Sequence, residues 1–191
     1  MGKSLSLFFF LELINHDKMN EVYAETNEER HETGKSLEMM ENKRDKAKEF
    51  FSRKMHCSQA VLATFSEECG ITEEQAFKLG SCFGSGMRKG EVCGACTGAL
   101  MVLGLLYGQS HIGDPDERQR SNMINDLMME RFKEKNGSYI CNELLGYDIS
   151  TPEGAQKARE EGLFTKFCPK MVERAVEILE EIINEFDSEN V

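Results

Sequence analysis

The chain has 191 residues, enough for one domain with a tail and too few for two large cores. Its 34 acidic against 23 basic residues give a formal net charge of -11, which repels phosphate backbones and anionic lipid headgroups, so the charge argues against nucleic acid and membrane surfaces as partners. Seven cysteines, an odd number with no complete export signal, fit a secreted disulfide framework poorly; the expectation is a cytoplasmic protein whose thiols are ligands or redox groups.

Met1 to Ile14 carries one Lys and a short apolar run, but Glu12 interrupts it and no small-residue cleavage site follows. Gly2 with Ser6 fits the short myristoylation pattern, and Met19 offers an alternative start. No segment reaches the ~20 apolar residues of a membrane helix. From Asn15 onward the chain is polar and without apolar periodicity, so residues 1–35 read as a flexible leader with His16 and His31 as solvated bystanders. Residues 36–191 read as a single all-α domain, a compact multi-helix bundle in which a glycine-rich loop leads into a central buried helix.

The first helix is expected from about Ser36 to Lys54, and the second from Cys57 to Glu68, stopping at Gly70. Thr72-Glu73-Glu74-Gln75 is a capping box that opens a third helix running to about Phe83. Gly84-Ser85-Gly86-Met87-Arg88-Lys89-Gly90 follows, a loop whose glycines imply φ > 0 or a close backbone approach. The segment Cys93 to Gly108 is apolar on every side and belongs at the centre of the core. Asp114-Pro115 is an N-cap with proline at the first helical position, starting a charged helix that breaks at Asn136-Gly137. Cys141 to Leu145 is a short helical turn, Thr151-Pro152 starts another, and Cys168 to Phe186 has apolar residues at helical spacing.

On this map Cys57, Cys93, Cys141 and Cys168 each stand at or near a helix start. A helix N-terminus offers unpaired N–H groups and partial positive charge, which favour the thiolate that binds metals and attacks disulfides. Gly84, Gly86, Gly90 and Gly94 are the expected cofactor-binding glycines, their backbone N–H groups donating to cluster sulfur or another anion. Against this stands core packing, because free cysteine is among the most buried residue types. Cys69 and Cys82 read as passive. Cys96 forms C-x-x-C with Cys93, the alternative dithiol, although no βαβ context surrounds it. His56, adjacent to Cys57, could tune that thiol or simply cap a helix. Nothing matches G-x-x-x-x-G-K-[ST], H-E-x-x-H or G-x-S-x-G, so nucleotide-driven and hydrolytic chemistry has no support.

These blocks resemble the redox-active protein family named for its C_GCAxxG_C_C cysteine pattern, over roughly Phe50 to Ile183. Cys57-Ser58-Gln59-Ala60-Val61 is similar to its first cysteine block, Phe83 to Gly90 to its glycine-rich approach, and Cys93-Gly94-Ala95-Cys96-Thr97-Gly98-Ala99 to its C-G-A-x-x-G core. Cys141 to Gly146 and Cys168 to Val172 are similar to the third and fourth blocks. The resemblance implies a redox protein. Related sequence in a split-Soret type of cytochrome is associated with an iron–sulfur centre, which implies a [2Fe–2S] cluster on Cys57, Cys93, Cys141 and Cys168. Its role would be electron transfer with an unidentified oxidoreductase or electron carrier, as a redox accessory protein rather than a stand-alone enzyme. Two other readings stay open: a metal-free thiol–disulfide oxidoreductase using Cys93 and Cys96, and a non-enzymatic helical interaction protein. A homodimer is expected only on the base rate for soluble oligomers.

Overall fold

The computed structural model describes residues 33–188, with side chains from Lys43 onward; of the leader reading, residues 1–32, His16 and His31 included, lie outside the described residues, whereas residues 33–35 belong to the first helix. Among the described residues the chain is all-α. The helices are α1 (Thr33–Ser52), α2 (Cys57–Thr64), α3 (Glu73–Gly80), α4 (Gly94–Tyr107), α5 (Pro115–Asn136), α6 (Cys141–Leu145), α7 (Pro152–Glu160), α8 (Leu163–Lys166) and α9 (Cys168–Ser188).

The chain's own stop and start signals set most boundaries. Thr72 accepts from the Gln75 amide while the Gln75 side chain accepts from the Thr72 N–H, closing the expected capping box. Asp114 accepts from the Asp116 and Glu117 amides, and Gly137, at φ 86, ends α5 in the left-handed conformation. Two helices are shorter than their periodicity predicts. At the end of α2 the Thr64 hydroxyl donates to the Ala60 carbonyl, and the Phe65 and Ser66 amides fall back to carbonyls three residues earlier, so the helix tightens before Glu68. Helix α3 ends at Gly80 through a similar tight bond from Ser81 to Lys78. Helix α8 is four residues long, too short for periodicity to show it, and starts after Gly162 at φ 72.

Helix α9 lays Met171, Val172, Ala175, Val176, Leu179 and Ile182 against α1, α2, α4 and α5. Helix α4 packs between α2 and α5, and small residues set the spacing: a Cβ on Gly98 would come within 2.7 Å of the Ser58 carbonyl oxygen. The expectation that α4 is enclosed on every side holds for its first turns, where Ala95, Cys96, Ala99 and Val102 are fully buried. It fails toward Tyr107, where Leu105 is exposed and an open groove of about 320 Å³ runs between α4 and α5 over Leu100, Leu103 and Ile124. A second, smaller apolar cluster gathers Cys141, Leu145, Ile149, Ala158 and Cys168 with Phe51, Phe164 and Phe167 at its edge.

Glu180 breaks the apolar face of α9. It is 5 % exposed, and neither carboxylate oxygen has a hydrogen-bond partner. Burial above all pushes its pKa from 4.5 to about 7; Lys43 and Arg44 oppose the shift, while Glu177 and Glu68 add to it. A folded value above the unfolded one makes this site's contribution complete below about pH 4.5 and removes it as pH rises through about 7. Glu180→Gln should therefore raise the thermal midpoint by a few degrees at pH 8, with the gain shrinking toward pH 4.5. Thermal unfolding followed by circular dichroism across that range checks both the sign and the window.

Candidate functional site

Four chain segments meet where the two apolar clusters adjoin. Helix α2 is held at its first turn: the Ser58 hydroxyl donates to the Gly80 carbonyl at 2.7 Å, and the Gln59 amide donates to the Phe77 carbonyl at 2.8 Å while its oxygen accepts from the His56 N–H. This fixes Cys57 beside the start of α4, where a Cβ on Gly94 would lie 3.3 Å from the Cys57 Cβ. Two backbone bonds then join Cys93 to Cys141. The Cys93 N–H donates to Tyr139 at 2.8 Å and the Cys141 N–H to Glu91 at 2.7 Å, around a single antiparallel bridge between Val92 and Ile140. The fourth segment arrives through α8, which delivers Cys168 to the first position of α9.

The result brings Cys57, Cys93, Cys141 and Cys168 together. In every pair among the four, at least one thiol shifts the ionisation of the other, and Cys57 and Cys168 shift each other in opposite directions. Cys93, Cys141 and Cys168 are 4 %, 6 % and 8 % exposed, with Cys57 half-buried. Cys69, whose thiol faces the Val102 carbonyl, and the exposed Cys82 stand apart from this set. Cys96 points elsewhere, its thiol 3.5 Å from the Met129 sulfur in the core.

The expectation that helix starts depress these thiol pKa values needs correction for three of the four. Burial first, with Cys168 adding, pushes Cys93 up to about 11, although the backbone amides of Ala95 and Cys96 at the α4 N-terminus pull the other way without closing a side-chain cap on it. Burial, then Cys93 and Cys168, raises Cys141. Hydrogen bonding to Cys168 raises Cys57 well above its ordinary value, followed by burial and the other thiols. Cys168 alone is lowered, because Cys57 keeps a proton and donates it to the Cys168 sulfur. Desolvation and mutual repulsion outweigh the helix ends, an outcome that depends on burial and on neighbours distant in sequence. Cys96 rises to about 12, through burial and then Cys93.

The four glycines also have structural neighbours. A Cβ on Gly84 would strike the His56 ring, one on Gly86 the Glu91 backbone, and one on Gly90 the Asn142 side chain. Asn142, which the sequence reading passed over, accepts from the Ile149 N–H at 2.9 Å and donates to Asp148 at 3.1 Å, so it ties the loop before Cys93 to the segment after Cys141. The loop itself is unusual in carrying Ser85, Gly86, Met87 and Arg88 in succession at φ between 54 and 60. Three of these four are not glycine, and a left-handed residue with a side chain is disfavoured by roughly 1–2 kcal/mol.

The sequence profile of the family described as "Putative redox-active protein (C_GCAxxG_C_C)" matches residues 55–182, a span that contains all four converging cysteines. The chain belongs to this family. No curated protein and no solved structure matches it. Membership of a redox-active family agrees with the character of the site, to which all four segments contribute a thiol at their meeting point. Among the described residues, no three His, Cys, Asp or Glu side chains are arranged to hold a single metal ion.

Two substitutions test how the loop supports this centre. Gly90→Ala should destabilise the fold by about 1–3 kcal/mol by forcing Asn142 away, whereas Met87→Gly should stabilise it by about 1 kcal/mol by relieving a left-handed side-chain residue. Urea unfolding of both variants beside the parent measures the opposite signs.

Proposed function

We propose that Cys57, Cys93, Cys141 and Cys168 ligate a [2Fe–2S] cluster and that the protein passes electrons between an oxidoreductase and an electron carrier. The observation that carries this reading is the convergence of four thiols, three of them buried, from four separate segments of the chain. The donor set suits the group. It consists of sulfur, which iron–sulfur clusters take as thiolate, and a two-iron cluster binds its cysteines in pairs rather than around one ion. The Ala95 and Cys96 amides at the α4 N-terminus favour the Cys93 thiolate, an influence of the kind that tunes a cluster's potential. When bound, the cluster supplies one-electron chemistry; the protein supplies the ligands, these backbone amides and a site largely shielded from water.

Anaerobic purification should yield about two irons and two acid-labile sulfides per chain. Cys93→Ser or Cys141→Ser should lose most of both, while Cys69→Ser, Cys82→Ser and Cys96→Ala should keep them. Unchanged iron in the first two variants, or loss in any of the other three, contradicts the ligand set.

A second reading concerns the same thiols without metal. Cys57 and Cys168, which shift each other's ionisation, are favoured for a disulfide over Cys93 with Cys96, whose thiol lies against the Met129 sulfur. In stripped protein exposed to air, the two thiols would lose two protons and two electrons to dioxygen, giving one S–S bond and hydrogen peroxide. Peptide mapping under non-reducing conditions should find Cys57 joined to Cys168; a Cys93–Cys96 link would restore the C-x-x-C reading.

A further inference from the structure

The left-handed loop before Cys93 begins and ends against the cysteine centre. Gly84 at its base packs near Gly94, and the Glu91 N–H at its end donates to the Gly86 carbonyl at 3.2 Å while the Glu91 carbonyl accepts from Cys141. Between these anchors Met87, Arg88 and Lys89 are carried outward; Met87 is 42 % exposed, and both cations are exposed. Three further exposed cations border the other cysteines in the chain: Lys54 three residues before Cys57, and Lys166 and Lys170 on either side of Cys168. Among the described residues, none of these five makes an ion pair. By contrast, Lys43, Lys46 and Lys48 on α1 and Lys135 on α5 all face carboxylates.

The segments around the centre also carry three exposed carboxylates, Glu91, Glu143 and Asp148; the neutral donors on Glu143 and Asp148, Ser138 for one and Asn142 with Ser150 for the other, leave them charged. On a chain of net charge -11, five unpaired cations against these three carboxylates leave the segments flanking the cysteines with a positive balance, opposite in sign to the whole molecule. Lys54 is held at φ 72 and Arg88 at φ 60, so two of the five sit on backbone in a disfavoured conformation. The charges are spread over three segments and accompanied by an exposed methionine, which suits an extended partner surface better than a single small anion.

We propose that Lys54, Arg88, Lys89, Lys166 and Lys170, with Met87 at the tip, form the docking rim for an acidic protein electron carrier whose own redox centre is bordered by carboxylates. One electron would pass from the reduced carrier to the cysteine-held centre, with no atom exchanged. The purpose of the rim rests on the electron-transfer reading above, but its test does not require the cluster. The probe is an acidic plant-type ferredoxin, with basic cytochrome c as the opposite-charge control.

Full-length protein and ferredoxin, treated with a zero-length carbodiimide, should form amide links that map to Lys89 and to at least one of Lys54, Lys166 and Lys170. The Kd for ferredoxin should rise about tenfold in the Arg88→Gln/Lys89→Gln double variant and should rise with salt in the parent. Links confined to other lysines, an unchanged Kd in the double variant, or binding of cytochrome c or inorganic phosphate in place of ferredoxin would overturn the rim. Rim cross-links in protein that holds no iron would uphold the rim while rejecting the cluster. Full iron content without rim cross-links would do the reverse.

Discussion

Two backbone hydrogen bonds, from Cys93 to Tyr139 and from Cys141 to Glu91, carry much of the site's architecture. They join the entrance of the central helix to the segment after α5 without a sheet, and they fix two cysteines from distant parts of the chain beside each other. Cys57 is then positioned by the close approach of α2 to α3 and α4, which small residues at Gly80, Gly94 and Gly98 permit. Cys168 is positioned by α8 and the small apolar cluster beneath it. With no regular sheet among the described residues, short-range backbone contacts at the junctions bring the four helix starts together.

The same junctions explain why the centre is chemically reluctant when left as thiols. Bringing four ionisable groups together under a nearly closed surface raises three of them and concentrates what ionisation there is on Cys168. A cationic group entering such a site displaces protons, so its binding strengthens as pH rises. Burial and the backbone amides at the α4 N-terminus are the properties through which this chain would set the potential of the proposed cluster.

Much of the fold was legible because it depends on local signals. The capping box at Thr72, the Asp114-Pro115 start and the apolar spacing of α9 each state their result within a few residues. Helix α8 escaped because four residues show no period, and the early ends of α2 and α3 escaped because tight turns and a Thr64 side-chain bond override apolar pattern. The convergence of the four cysteines could be suspected from their positions at helix starts. Their raised pKa values could not, since burial and neighbour charge are tertiary properties. Asn142 gave no signal in the sequence, and the left-handed run through Ser85, Met87 and Arg88 is hidden behind residues that ordinarily avoid that conformation.

Iron K-edge X-ray absorption on protein prepared without oxygen tests the central claim most directly. The account predicts about four sulfur neighbours and one iron neighbour around each iron, with no nitrogen or oxygen ligand. Iron bound as a single ion, or iron with nitrogen or oxygen in its inner coordination, would contradict it.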